Sequence, residues 1–376
     1  MIIKEIELRD FRNYESLNLQ FHNKVNLFLG ENAQGKTNIL EAIYLSSLGR
    51  SFRTAQDNEM IRFGKDFLKV KVTAEKEDEN LTVEFAVTEK GKGAKVDGVK
   101  IKRISELFDH IYTVIFSPED LRIVKEDPEK RRRFINTELC LTVPSYYGSL
   151  SDYKRVLRQR NAFLKEAKIQ GKKVDTEILH VWDEQLSVSG TFVMMKRKAF
   201  VEKLKRISGE IHRNITDGQE QLEIEYEPSI TLKEELKEQK EQFQKDLQEN
   251  LLSDIKNATT GRGPHRDDIK IIVNGVDLRR FGSQGQQRTA ALSLKLAEIR
   301  LIQEETGENA VLLLDDVMSE LDAARQKFLV HSLGDVQLFI TTTDLTEEVK
   351  KALPEGYTFY VRKGTVSESA LERKRK

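Results

Sequence analysis

Apolar and polar positions alternate, or run apolar for four to five residues, at 2–8, 17–21, 25–29, 68–72, 81–87 and 111–116. Such patterns predict strands, and the alternation at 68–72 predicts a half-exposed antiparallel sheet. From about residue 119 to 252 the period becomes helical. Leu150, Tyr153, Leu157 and Leu164 share one helical face, and 186–211 is a second helical stretch. Leu232, Leu236, Phe243, Leu247 and Leu251 mark an amphipathic segment rich in Glu, Lys and Gln. Antiparallel packing inside a bundle is preferred for it over a protruding coiled-coil arm. The pattern then returns to α/β, with strands at 269–273, 311–314 and 338–342 and a helix at 286–303. The fold expected is an α/β head, a mixed sheet around a phosphate-loop core, assembled from residues 1–118 and 260–376. Residues 119–259 form a helical insertion.

The strand at 25–29 leads into Gly30-Glu31-Asn32-Ala33-Gln34-Gly35-Lys36-Thr37, and a helical run follows. This is a complete phosphate-binding loop. Its glycines let successive backbone N–H groups face the phosphates, Lys36 reaches the β and γ groups, and the Thr37 hydroxyl suits Mg²⁺. ATP and Mg²⁺ are therefore the expected ligands. A second apolar strand ends in Asp315-Asp316. An acid at that edge is where phosphate-binding folds hold the metal, so Asp315 is the expected partner of Thr37. Asp316 is placed to position or deprotonate the attacking water.

Composition narrows the setting. The 62 basic and 62 acidic side chains cancel, so any nucleic-acid surface must be a local patch. Arg50 and Arg53, the run Lys130-Arg131-Arg132-Arg133, Arg279-Arg280 and the tail Arg373–Lys376 are the basic clusters. The single Cys140 excludes an internal disulfide and suits a reducing compartment. No apolar run approaches the roughly 20 residues that span a bilayer, and the first residues lack the apolar core of a secretion signal. A cytoplasmic protein with no membrane association is expected.

Upstream of the second strand, Ser283-Gln284-Gly285-Gln286 opens the helix at 286–303, and Ser319-Glu320-Leu321-Asp322 follows the paired acids. Order and spacing resemble the heads of ABC-type ATPases. That resemblance implies that Ser283, Gly285 and Gln286 contact the γ-phosphate held by the opposite subunit, so that a complete site needs two heads and ATP drives dimerisation. The simpler reading of Ser283 is a helix N-cap. The long insertion between Thr37 and Ser283 disfavours a transporter subunit. The chain is too short for the long coiled coils of chromosome-condensing relatives.

Further motifs sharpen the likeness: Phe11-Arg12-Asn13-Tyr14, Glu41-Ala42-Ile43, Arg50-Ser51-Phe52-Arg53, Phe116-Ser117-Pro118-Glu119-Asp120-Leu121 and Gly263-Pro264-His265-Arg266-Asp267-Asp268. With the loop, Ser283–Arg288 and Leu314–Asp316 they resemble the bacterial RecF family from end to end. The resemblance implies a weak, DNA-dependent ATPase that binds single- and double-stranded DNA at gap junctions. With RecR and RecO it would help load RecA and support the SOS response. Arg12 and Asn13 are expected at the nucleotide. Arg50 and Arg53, then Arg131, Arg132 and Arg133, are the candidates for DNA contact. His265 with Asp267 and Asp268 reads as a turn before a strand rather than a metal cluster. Asp316 stands where such heads usually carry Glu, and Thr341-Thr342-Thr343-Asp344 offers no switch His. Both departures imply slow turnover.

Overall fold

Leu68, Val70, Val72 and Ala74 are buried while their neighbours along the strand are not, as one covered face of an antiparallel sheet requires. In the computed structural model, which describes residues 1–76 and 79–371, this strand is Phe67–Lys76. It lies between Ile2–Phe11 and Glu79–Thr88, in register Leu68↔Val87, Val70↔Phe85 and Val72↔Val83. Tyr14–Gln20 closes one side of this six-stranded sheet; Gly91–Val96 and Val99–Lys100 close the other.

A second six-stranded sheet runs Thr365–Ala370, Gly356–Arg362, Val25–Leu29, Leu338–Thr342, Val311–Asp315, Thr113–Phe116. It is parallel except for the hairpin at the first edge. Val25–Leu29, Leu338–Thr342 and Val311–Asp315 are buried along nearly their whole length, which explains their largely apolar sequence. Val25–Leu29 and Val311–Asp315 flank Leu338–Thr342, with Leu29 opposite Thr342 and Asp315 opposite Thr341. The carboxyl ends of the two strands that carry the chemistry therefore fall on one edge, the usual ligand edge of α/β sheets. Helix Lys36–Leu48 touches strands of both sheets. All but two of its residues are accordingly buried, and it has no polar face.

Both sheets belong to one compact unit, formed by Met1–Arg122, Asn214–Asp217 and the chain from Gln287 onward. Ile123–Arg213 and Gly218–Gln286 form the other. The expected return at residue 260 lies within this second unit. Asp268–Val273 pairs antiparallel with Leu222–Glu227 and Val276–Asp277 in a three-stranded sheet, which retains 260–286 there. Helices Pro128–Thr142, Pro144–Gln170, Thr176–Ile215, Leu236–Glu249 and Leu251–Asn257 supply its helical part. Phe243 and Leu247 pack with Tyr153, Val156, Leu186, Met194 and Ile230, so the amphipathic segment is a helix within a bundle.

Buried polar groups pin this second unit. Arg160 is fully buried and donates to Asp183 at 2.7 Å, Asp254 at 2.7 Å and Thr260 at 2.9 Å. His265 shares a hydrogen bond with the Tyr153 hydroxyl at 2.6 Å, and its Nε2 meets the Thr260 carbonyl at 2.9 Å. Burial pushes the imidazole down from 6.5 to about 4; the Thr260 bond opposes this, and Arg266, Arg132 and Arg197 reinforce it. The unfolded chain thus takes up a proton that the folded one refuses. The stability given by neutral His265 is complete above about pH 6.5 and is lost as pH falls toward 4. At pH 4.5 the loss is about 2–3 kcal/mol. His265→Gln should flatten this part of the stability profile, read as urea midpoints between pH 7 and 4.5. An unchanged slope would assign the acid sensitivity to other groups.

Candidate nucleotide-binding site

The turn after Val25–Leu29 is tight because nothing larger fits. A Cβ on Gly30 would stand 2.3 Å from the Val361 carbonyl oxygen. At Gly35 it would stand 2.6 Å from Asn13 Nδ2 and 2.8 Å from the Tyr14 hydroxyl, at a φ of +117°. Ala33 also takes a left-handed φ of 63°. Gly35 caps helix Lys36–Leu48 without any side-chain acceptor, and the first turn carries no acid. The unpaired N–H groups and positive end of the helix are left to an anion.

Lys36 is buried, with Nζ donating to the carbonyls of Gly30 at 2.6 Å and Glu31 at 2.8 Å. Its ammonium therefore sits across the mouth of the loop. Burial lowers its pKa, while Asp316 and Asp315 raise it. Glu31, Asn32 and Ala33 form the exposed rim. Gln34 is held by the hairpin of the same unit: its Oε1 accepts from Lys363 N at 2.7 Å, and its carbonyl accepts from Gly364 N at 3.3 Å.

The Thr37 hydroxyl donates to Asp315 Oδ1 at 2.7 Å, and the Thr341 hydroxyl donates to the same oxygen at 2.8 Å. Residues 278 positions apart thus meet at one point. Asp316 follows in a left-handed conformation, φ 53°, with its N–H on Thr341. Its Oδ1 is buried with no hydrogen-bond partner. Burial raises the Asp316 pKa; Lys36 lowers it, and Asp315 and Glu320 raise it further. The oxygens of Thr37 and Asp315 fit a hard cation such as Mg²⁺, and the open Asp316 oxygen fits a donating water. Among the described residues no group of three or more His, Cys, Asp or Glu could hold a metal alone. The remaining ligands would be water and phosphate oxygens.

Arg12 and Asn13 adjoin the loop in different ways. Asn13 Nδ2 donates to the Gln34 carbonyl at 2.9 Å, and its Oδ1 accepts from Asn38 at 2.8 Å. Arg12, with φ 53°, makes a two-pronged bond to Glu41 at 2.9 and 2.6 Å. Glu41 is fully buried and also accepts from Ser51 at 2.5 Å and Arg53 at 3.3 Å. This hub had no assigned role in the sequence. The available signal was a lone acid within the apolar run 39–45, since a buried carboxylate needs partners.

Ser283 is exposed at the start of helix Gln284–Thr306. Its Oγ accepts from Gln286 N at 3.2 Å while Gln286 Oε1 accepts from Ser283 N at 3.1 Å, a capping box. Gln286 Nε2 also donates to Glu220 at 2.9 Å. The Ser283 hydroxyl thus has a local structural role, and Gln284 is exposed beside it.

Among the DNA candidates, Arg50 follows the left-handed Gly49 that ends the loop helix, and Arg53 donates to Asn38 at 2.7 Å with part of its side chain exposed. Arg131 is corrected. It is buried and forks onto Asp268 at 2.7 and 2.8 Å, with further bonds to the carbonyls of Ile123 and Glu126. It is a structural cation. Arg132 donates to the Asp267 carbonyl at 2.7 Å, whereas Arg133 is exposed. The tail Arg373–Lys376 lies outside the described residues.

Known proteins place these observations. The family model described as RecF/RecN/SMC N terminal domain matches residues 2–367. The DNA replication and repair protein RecF of Alkaliphilus oremlandii is 45% identical over 370 residues, covering 97% of this chain and 100% of its own length. A solved structure of the recombination mediator protein RecF with ATP, in the RecFOR pathway, superposes with a TM-score of 0.90. It is 40% identical and covers 98% of each chain. An Smc head bound to the winged-helix domain of ScpA shares the fold alone, with a TM-score of 0.55 at 16% identity and 98% of each chain covered.

Proposed function

This chain belongs to the RecF family, and from that premise we propose that it is an ATP-dependent DNA-binding protein of recombinational repair and replication-gap processing. The observation that carries the reading is the 2.7 Å contact between Thr37 and Asp315, made beside the Lys36 ammonium at an uncapped helix end. Loop, metal acid and anion cradle converge there, and the RecF structure that binds ATP shares the fold throughout.

Lys36 neutralises charge on the β and γ phosphates, and the first-turn N–H groups orient them. When bound, Mg²⁺ would be held by Thr37 and Asp315 and would draw charge from the phosphate oxygens. The open oxygen of Asp316 is placed to accept a proton from the attacking water. Its side chain is one methylene shorter than Glu, so it reaches less far and hydrolysis is slow. Ser283 of one molecule completes the site of another. ATP then stabilises the dimer by mass action, and loss of the γ-phosphate releases it. A slow switch of this kind suits a clamp that marks gap junctions while RecR and RecO assist RecA loading and the SOS response. No helix among the described residues is long and apolar enough to cross a membrane, and the proposed site of action is the cytoplasm.

Lys36→Arg tests the reading. Arg keeps the charge but replaces a compact ammonium with a planar fork. ATP should still bind, while DNA-stimulated hydrolysis should fall by about a hundredfold or more. Hydrolysis at the unaltered rate would remove Lys36 from the reaction. A wild-type turnover above roughly 100 s⁻¹ would contradict the slow-switch reading.

A further inference from the structure

Phe63 is the most exposed large apolar side chain among the described residues, with 102% of its reference area open to solvent. Single exposed apolar residues are ordinary. Three features set this one apart. First, its backbone is fixed. Lys65 N bonds the Arg62 carbonyl at 3.0 Å, and Gly64 has a φ of +78°, the pattern of a type II turn with Phe63 at its second position.

Second, the turn is tied to a strained corner. Arg62 N bonds the Asp10 carbonyl at 2.9 Å and Arg12 N bonds the Met60 carbonyl at 2.8 Å. Asp10 and Arg12 themselves sit at φ 49° and 53°, conformations that L side chains seldom adopt. The next residue, Asn13, holds the phosphate loop through Gln34. The aromatic tip is thus connected by a few bonds to the nucleotide site.

Third, cations adjoin it in sequence and on the strand that follows. Arg62 and Lys65 flank it in sequence, and the Arg9 guanidinium lies 5.5 Å over the ring of Phe67. Arg9 and Lys69 are directly opposite across two strands, an arrangement that favours a bound anion over neighbouring like charges. Glu15 pairs with Arg62 at 3.0 Å and Glu84 with Lys69 at 2.7 Å; a phosphate would compete with these acids for the two cations. An exposed aromatic on a rigid turn among cations is the chemistry that binds unpaired bases: the ring stacks and the cations follow the backbone.

We propose that Phe63 stacks on an unpaired base of single-stranded or gapped DNA, with Arg62, Lys65 and Arg9 on the flanking phosphates. This inference rests on the DNA-binding reading above and names the element that distinguishes a gap from a continuous duplex. The test compares wild type, Phe63→Ala and Phe63→Trp with ATP on three DNAs of equal length: duplex, gapped, and gapped with abasic positions. Phe63→Ala should lose affinity for gapped DNA by about fivefold to a hundredfold. It should bind the duplex and the abasic gap as wild type does. Phe63→Trp should restore gapped binding, and its added fluorescence should be quenched by the stacked base. Equal affinity of Phe63→Ala and wild type for gapped DNA would overturn the stacking role while leaving ATP-dependent duplex binding intact. Equal losses on all three DNAs would point instead to a contact that does not read bases, such as a docked protein, and would also overturn it. Failure of the wild type to bind any DNA would instead refute the underlying function.

Discussion

Ser283→Arg should bind ATP with near-normal affinity and remain monomeric at nucleotide concentrations that make the wild type a dimer. Ser283 is exposed, and among the described residues its side-chain and N–H bonds are the two of the capping box with Gln286. Losing that cap costs about 0.5–2 kcal/mol, too little to unfold a chain of this size. Under the proposed shared site, the substitution places a long cation where the second molecule's triphosphate and loop would approach. Nucleotide affinity reports Lys36 and the loop, while sedimentation reports the shared site, so the two readouts separate. A Ser283→Arg protein that dimerises normally would reduce Ser283 to its capping role. Ser283→Ala keeps the surface open and should dimerise with lower hydrolysis, because only the hydroxyl is removed.

The second large effect concerns stability. Arg131→Ala should destabilise the second unit by about 3–5 kcal/mol, because it strands a carboxylate that had a two-pronged partner. Among the described residues, Asp268 would keep the Ile269 N–H at 2.8 Å, a distant Arg279 at 3.9 Å and the attraction of the nearby Arg132. The carbonyls of Ile123 and Glu126 would also lose their donor. Urea unfolding followed by far-ultraviolet circular dichroism reads this directly. An Arg131→Ala protein of unchanged stability and reduced DNA affinity would return Arg131 to the DNA surface. Exposed Arg133 serves as the contrast, since its replacement by Ala should alter stability by no more than about 0.5 kcal/mol.

These cases mark where the sequence is readable. The phosphate loop is local, and its strand and helix flank it directly, so composition and order identify it. Val311–Asp315 is legible because a strand covered on both faces must be apolar throughout. Thr365–Ala370 is mostly exposed and polar, and an edge strand of that kind leaves no pattern to read. The boundary near 260 fails for another reason. The pairing of Asp268–Val273 with Leu222–Glu227 joins segments on either side of it, and nothing local announces the partner. In the run 131–133, Arg131 reads as one of three equivalent cations. Helical spacing gives the missing signal: Phe134, Ile135 and Glu138 lie three, four and seven positions on, and all are buried, whereas Arg133 is on a different face. Glu41 carries a comparable signal, a lone acid within the apolar run 39–45.

Sedimentation velocity with ATP, ADP or no nucleotide, each with and without gapped DNA, tests the shared nucleotide site most directly. The account predicts monomers without nucleotide and with ADP, and dimers with ATP that co-sediment with the gapped DNA. A protein that stays monomeric at saturating ATP, or dimerises equally under all three conditions, would contradict it.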